Sequence, residues 1–203
     1  MRIIRYFIIL FIIILFYFWS LGDTLLFFGN YFIRTKAFGL AYVCYTMAVK
    51  ADKKNPEAWK AFGSLHNLPS GYFGYVDEEK AKEAYLKAIE LDPEDDDAYC
   101  EVSYFFSVEG KNYEAIKYLK KAMEINENNF DACEYLAVQY EVICDYKNSL
   151  KQFEICKRLA IEQNEVRNYD KIMSKIKELQ KEQEDELKKG NCPNEKLFSP
   201  IKN

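Results

Sequence analysis

Few side chains in this sequence could attack a substrate or hold a metal. There is one histidine, His66, and there are six cysteines: Cys44, Cys100, Cys133, Cys144, Cys156 and Cys192. A structural zinc site needs several closely presented sulfur or imidazole ligands, and no two of these cysteines form a CxxC pair. A cysteine nucleophile needs a base beside it, and only His66 could serve. The sequence has no glycine-rich phosphate loop, GxSxG turn or HExxH helix. It therefore predicts no catalytic residue, no metal and no cofactor, and it keeps a cysteine enzyme only as an alternative of another class. The even number of cysteines permits disulfides in an oxidising compartment; otherwise several read as small core residues.

Charge narrows the partners further. The chain of 203 residues carries 28 Lys and Arg against 32 Asp and Glu, a net of −4. Two of the basic residues, Arg2 and Arg5, sit in the first segment, so the remainder is more acidic still. Nucleic-acid binding needs clustered cations that release counterions from phosphate, and none is expected here. What remains is recognition of protein or peptide by apolar and charged surface.

The elements that would carry such a surface follow from an internal period. In the stretch from Asp95 to Asn129 the apolar or small landmarks are Tyr99, Val102, Ser103, Phe106, Ala115, Leu119 and Ala122. A shift of 34 residues takes them to Cys133, Leu136, Ala137, Tyr140, Ser149, Phe153 and Cys156. Upstream the same places hold Trp59, Phe62, Gly63 and His66, then Ala81, Tyr85 and Ala88, followed by Pro93. That copy has six extra residues between its halves, within NLPSGYFGYVDEE. Earlier still come Leu25, Phe28, Gly29 and Phe32, then Ala41, Tyr45 and Ala48. Spacings of three and four place each set on one helix face. Gly63 and Ala81 let two antiparallel helices approach closely, and Pro93 ends the second helix. One such pair cannot bury its apolar face alone, so stacking of copies is required.

Period and landmarks resemble the tetratricopeptide repeat, above all in NPEAWKAFGSLH and AKEAYLKAIELDP, with a Sel1-like flavour in the long second copy. The resemblance implies an all-α fold, a right-handed superhelix of stacked antiparallel helix pairs. Four repeats are expected at 22–55, 56–95, 96–129 and 130–163, with a capping helix over 164–189 and a flexible tail at 190–203. The cap carries Val166, Tyr169, Ile172, Ile176 and Leu179 on one stripe. Its heptad-like spacing leaves self-association as a minor alternative.

The resemblance also implies a protein-binding groove lined by the first helix of each repeat. On the face opposite the core landmarks lie Glu57, Lys60, Ser64 and Asn67, then Asp97, Cys100, Tyr104 and Ser107, then Asp131, Glu134, Val138 and Glu141. Some family members grip a chaperone's terminal carboxylate with Asn and Lys or Arg. Here Lys60 is the only basic residue of the set, so a basic or mixed apolar ligand is expected instead. The inserted loop offers Tyr72, Phe73 and Tyr75 as a second candidate surface.

The first segment reads differently from the rest. From Ile3 to Trp19 it is nearly unbroken Ile, Phe, Leu and Tyr, close to the length a spanning helix needs. Arg2 and Arg5 precede the run, and Tyr17 and Trp19 close it, favouring a cytoplasmic N-terminus. The expectation is a single transmembrane helix within 1–21, with the repeats on the outer, extracytoplasmic side. The rival is a cleaved signal peptide, with Ser20-Leu21-Gly22 as the small-x-small site. The function expected is a membrane-anchored scaffold that mediates protein–protein interaction, with assembly of an envelope complex as its candidate role; after cleavage it would be a soluble secreted or periplasmic adaptor.

Overall fold

In the computed structural model of the chain, residues 21–65, 78–164 and 166–189 are described. The anchor segment, His66, Asn67, the loop with Tyr72, Phe73 and Tyr75, and the tail with Cys192 lie outside them. Among the described residues there are α-helices but no strand, and no helix is long and apolar enough to cross a membrane. The chain divides into two units, Met1–Glu94 and Asp95–Asn203.

The first unit holds two helix pairs, α1 (Leu21–Arg34) with α2 (Phe38–Ala51), and α3 (Pro56–Ser64) with α4 (Glu78–Leu91). Each pair closes on a glycine facing a tyrosine ring. A Cβ on Gly63 would stand 2.8 Å from Tyr85 Cε2, and one on Gly29 would be closer still to Tyr45. Ala41, Tyr45 and Ala48 on α2, and Ala81, Tyr85 and Ala88 on α4, are buried. Tyr42 reaches the ring of Phe62, 6.4 Å between centroids, and joins α2 to α3. Between α2 and α3 the chain turns on side-chain hydrogen bonds: Asp52 Oδ1 accepts from Lys54 N at 2.9 Å. Asn55 then caps α3 by accepting from Ala58 N, with Pro56 supplying the preset backbone of a first helical residue. The first-helix landmarks of this unit are less buried than their spacing suggests. Trp59 and Phe62 are half-buried, and Phe28 is exposed.

The second unit holds α5 (Asp96–Val108) with α6 (Asn112–Ile125), α7 (Phe130–Val142) with α8 (Tyr146–Glu162), and then α9 (Val166–Lys189). Asp95 and Asn129 cap α5 and α7. The Asn129 amide also donates to Asp96 Oδ2 at 2.6 Å, tying the start of α7 to that of α5. Ser103 and Ala137 take the place of the glycines, and Leu119 and Phe153, buried at the register of the tyrosines, are the residues opposite. Cys133 on α7 and Cys156 on α8 are joined by a disulfide with their Cα atoms 5.7 Å apart. Around it pack Ala137, Phe153 and Leu159 together with Ile172, Ile176 and Leu179 of α9. Each of those three side chains contributes about 1.5–3 kcal/mol by leaving water. Three residues of the apolar stripe of α9, Ile172, Ile176 and Leu179, are thus buried within the chain.

Candidate protein-binding site

The residues read from the sequence as groove-lining fall into both units. On α3, Lys60 Nζ lies 3.1 Å from Glu57, and Ser64 Oγ donates to its own helix at Ala61 O. These three are satisfied locally, and Asn67 lies outside the described residues.

The second unit carries the rest. Asp97, Tyr104 and Asp131 are exposed, and Ser107 Oγ accepts from Gln139 Nε2 at 2.9 Å across α5 and α7. Cys100 is not on the surface. It is buried against Ile116, Leu119, Ala122, Ala132 and Leu136, because α6 and α7 both close over that side of α5. Burial first, then the carboxylates of Asp97, Asp96, Asp131 and Glu101, pushes its thiol well above the ordinary cysteine range. A thiol so held stays protonated and is a poor nucleophile. Tyr135, exposed on α7, senses the same field: partial burial and then Asp131, Glu101, Cys100 and Glu134 raise its hydroxyl. This side of α5 and α7 is therefore negative in potential, as the residue types on it imply.

Two of the carboxylates are already engaged. Lys171 of α9 pairs with Glu134, and Lys175 with Glu141 at 2.8 Å. Lys175 also meets Glu178 of its own helix at 3.3 Å. Burial alone would lower the Lys175 ammonium, but hydrogen bonds and charge from Glu141 and Glu178 outweigh it and hold the group above the usual lysine value. Glu134 precedes Glu141 and Lys171 precedes Lys175, so the two helices run the same way. Between them lies an open cleft of about 460 Å³. Val138, Phe153 and Ile172 form its apolar floor, and Glu134, Lys171, Lys175 and Glu178 its charged walls. The cleft thus offers apolar surface between ion pairs, whose cations, Lys171 and Lys175, flank Ile172 on α9.

The spacing of α7 placed Glu134, Val138 and Glu141 on one face but gave no sign of the lysines opposite. Lys171 and Lys175 sit on the cap, outside the repeating period, where no landmark gives their register. The signal available was their flanking of the Ile172–Ile176 stripe. Among the described residues no group of three His, Cys, Asp or Glu side chains is placed to hold a metal ion.

Comparison with known proteins matches residues 77–95 and 96–129 to the tetratricopeptide repeat. A TPR repeat-containing protein of Methanocaldococcus jannaschii is 32% identical over 106 residues, 52% of this chain and 30% of that protein. The match thus spans less than a third of that relative's length. Among solved structures, a crystal structure of MamA protein superposes with a TM-score of 0.59 at 18% identity, covering 89% of this chain and 99% of that one. The TPR2B domain of yeast Sti1 in its pHsp70 complex gives 0.57 at 21% identity, covering 64% of this chain and 99% of its own. The first TPR of Spaghetti (RPAP3), bound to the HSP90 peptide SRMEEVD, gives 0.53 at 23% identity, over 61% and 93%. At these identities the likeness is one of fold.

Proposed function

We propose that this chain, a tetratricopeptide-repeat protein, is a membrane-tethered scaffold that binds a basic, partly apolar segment of another protein at the acidic face of α5 and α7. The carrying observation is that Glu134 and Glu141 hold Lys171 and Lys175 across a cleft with an apolar floor. The chain's own helix thereby illustrates the ligand chemistry this face takes. The relatives bound to HSP90 and Hsp70 peptides support a peptide partner in general terms, but SRMEEVD is acidic at its end. The face here carries Asp97, Asp131, Glu134 and Glu141 and suits the opposite charge.

The tether is the Ile3–Trp19 run, with Arg2 and Arg5 favouring a cytoplasmic N-terminus and the repeats outside. The Cys133–Cys156 disulfide supports an oxidising, extracytoplasmic setting, and assembly of an envelope complex is a role consistent with it. In the second reading the segment is cleaved at Ser20-Leu21-Gly22 and the adaptor is soluble; recovering Met1 on the mature chain from cells would eliminate that reading.

The binding site is tested by a photoreactive side chain at Tyr104 in the full chain, with captured proteins from native membranes identified by mass spectrometry. One dominant basic partner, lost when Glu134 and Glu141 are both changed to Lys, is the expected result. Capture that survives the charge reversal would move the site elsewhere.

A further inference from the structure

The outer face of α2 does not look like the outer face of a soluble repeat. Leu40, Val43 and Met47 stand 53%, 49% and 49% exposed along it, spaced as one stripe. Lys50 continues the stripe at the end of the helix, Lys36 stands in the left-handed turn before it, both are exposed, and α2 contains no acidic residue. The other repeats provide an internal control, because the period places equivalent residues on their second helices. In place of Leu40, Val43 and Met47, α4 has Lys80, Glu83 and Lys87, and α6 has Glu114, Lys117 and Lys121. On α8 the trio is Asn148, Lys151 and Ile155. Packing within a repeat therefore does not call for apolar residues at these positions. On α1 the exposed side chains include Phe27, Phe28 and Tyr31; the ring of Phe27 meets that of Phe28, and the ring of Tyr31 meets that of Phe32.

The position of this stripe in the chain indicates what covers it. Leu21, the first described residue of α1, follows the end of the apolar run at Trp19 by two positions, so the first repeat is the part of the molecule held nearest the bilayer if that run is an anchor. An apolar stripe ended by lysines is the pattern of a helix lying in the plane of a membrane interface, with the cations beside lipid phosphate. Exposed aromatic residues of α1 suit the same layer. We infer that the folded first repeat is itself a membrane contact, seating Leu40, Val43 and Met47 against the surface of an anionic phospholipid bilayer. The inference rests on the anchored reading above and deepens it, giving the repeat domain a defined tilt on the membrane in place of a free tether.

The test uses the full chain reconstituted in vesicles of phosphatidylcholine and phosphatidylglycerol, with a photoreactive residue at Val43 or, as the control, at Glu83. Lipid adducts at Val43 should exceed those at Glu83 roughly fivefold or more, and should fall when Leu40 and Met47 are changed to Ser or phosphatidylglycerol is left out. Both substituted positions are exposed, and an unchanged helical circular dichroism spectrum checks that the fold persists. Equal yields at the two positions would overturn the inference. So would adducts at Val43 to a second copy of the chain or to another protein. Alkaline extraction of the same vesicles reads the anchor separately. A chain that stays in the pellet without lipid adducts at Val43 keeps the anchor and loses this inference, whereas a chain released with its first segment intact overturns both.

Discussion

Gly63 and Tyr85 are in contact so close that no larger residue fits at 63 without moving the ring: an added Cβ would lie 2.8 Å from Cε2. Gly63→Ala should therefore destabilise the first unit by up to about 2 kcal/mol, the overpacking cost of about 1–3 kcal/mol less the gain of about 1 kcal/mol from alanine's better helix propensity. The third repeat contains the remedy in Ser103 opposite Leu119, both buried. Adding Tyr85→Leu to Gly63→Ser should recover part of the loss of Gly63→Ser alone. Urea unfolding of Gly63→Ser, Tyr85→Leu and the double variant checks this. Simple additivity of the two substitutions would show that the ring contact is not the cause.

Such pairs explain how much of the fold was legible. Gly29 with Tyr45 and Ala137 with Phe153 recur at one offset, and Gly63 with Tyr85 at that offset plus the six inserted residues, because each repeat must solve the same packing problem, so one period with its insertion exposes them all. Coverage by neighbours is not periodic. Cys100 and Glu134 occupy the same place in successive copies, yet Cys100 is enclosed by α6 and α7 while Glu134 stands at the cleft beside α9. Spacing assigns a residue to a face; it does not state what the next element lays over that face. Lys171 and Lys175 were illegible as site residues for the same reason, being on the element that does the covering.

The Cys133–Cys156 link crosses from α7 to α8 beside the floor of the cleft, at a sequence separation of 23. Changing both to Ala, or reducing the protein, should lower stability by about 2–4 kcal/mol. Thermal unfolding with and without reductant checks the loss, and peptide mapping under non-reducing conditions checks the pairing. A native protein in which these two cysteines alkylate as freely as Cys144 would contradict it.

Releasing α9 from the acidic face should strengthen ligand binding. Lys171→Ala with Lys175→Ala frees Glu134 and Glu141, and a basic peptide carrying the Lys-Ile-x-x-Lys spacing should then bind several-fold tighter by fluorescence anisotropy. The stability cost should be small, about 0–1 kcal/mol for each partly exposed pair. Its pH dependence follows from the raised Lys175 value. A lysine whose folded pKa exceeds its unfolded one contributes fully below the unfolded value and loses that contribution as pH rises through the folded value. The Lys175 contribution should thus be constant through neutral pH and fade only in strong alkali. Weaker peptide binding by the double alanine variant would mean that α9 is part of the ligand site and not its occupant.

The turns inside the repeats of the second unit isolate a backbone effect from packing. Gly110 and Cys144 lie 34 residues apart, each between the two helices of its repeat, and both have left-handed backbones, with φ of 72° and 59°. Glycine adopts that region freely, whereas a Cβ there crowds the following carbonyl. A Cβ built on Gly110 meets nothing within 4 Å, so any cost of Gly110→Ala comes from the backbone and should be about 1 kcal/mol. Cys144→Gly runs the same change in reverse and should stabilise the fourth repeat by about 0.5–1 kcal/mol, less than the full relief because glycine also loosens the unfolded chain. Chemical unfolding of the two variants should therefore give midpoints displaced in opposite directions. A Cys144→Gly variant less stable than the parent would mean that contacts of the half-buried Cys144 side chain outweigh the strain of its backbone.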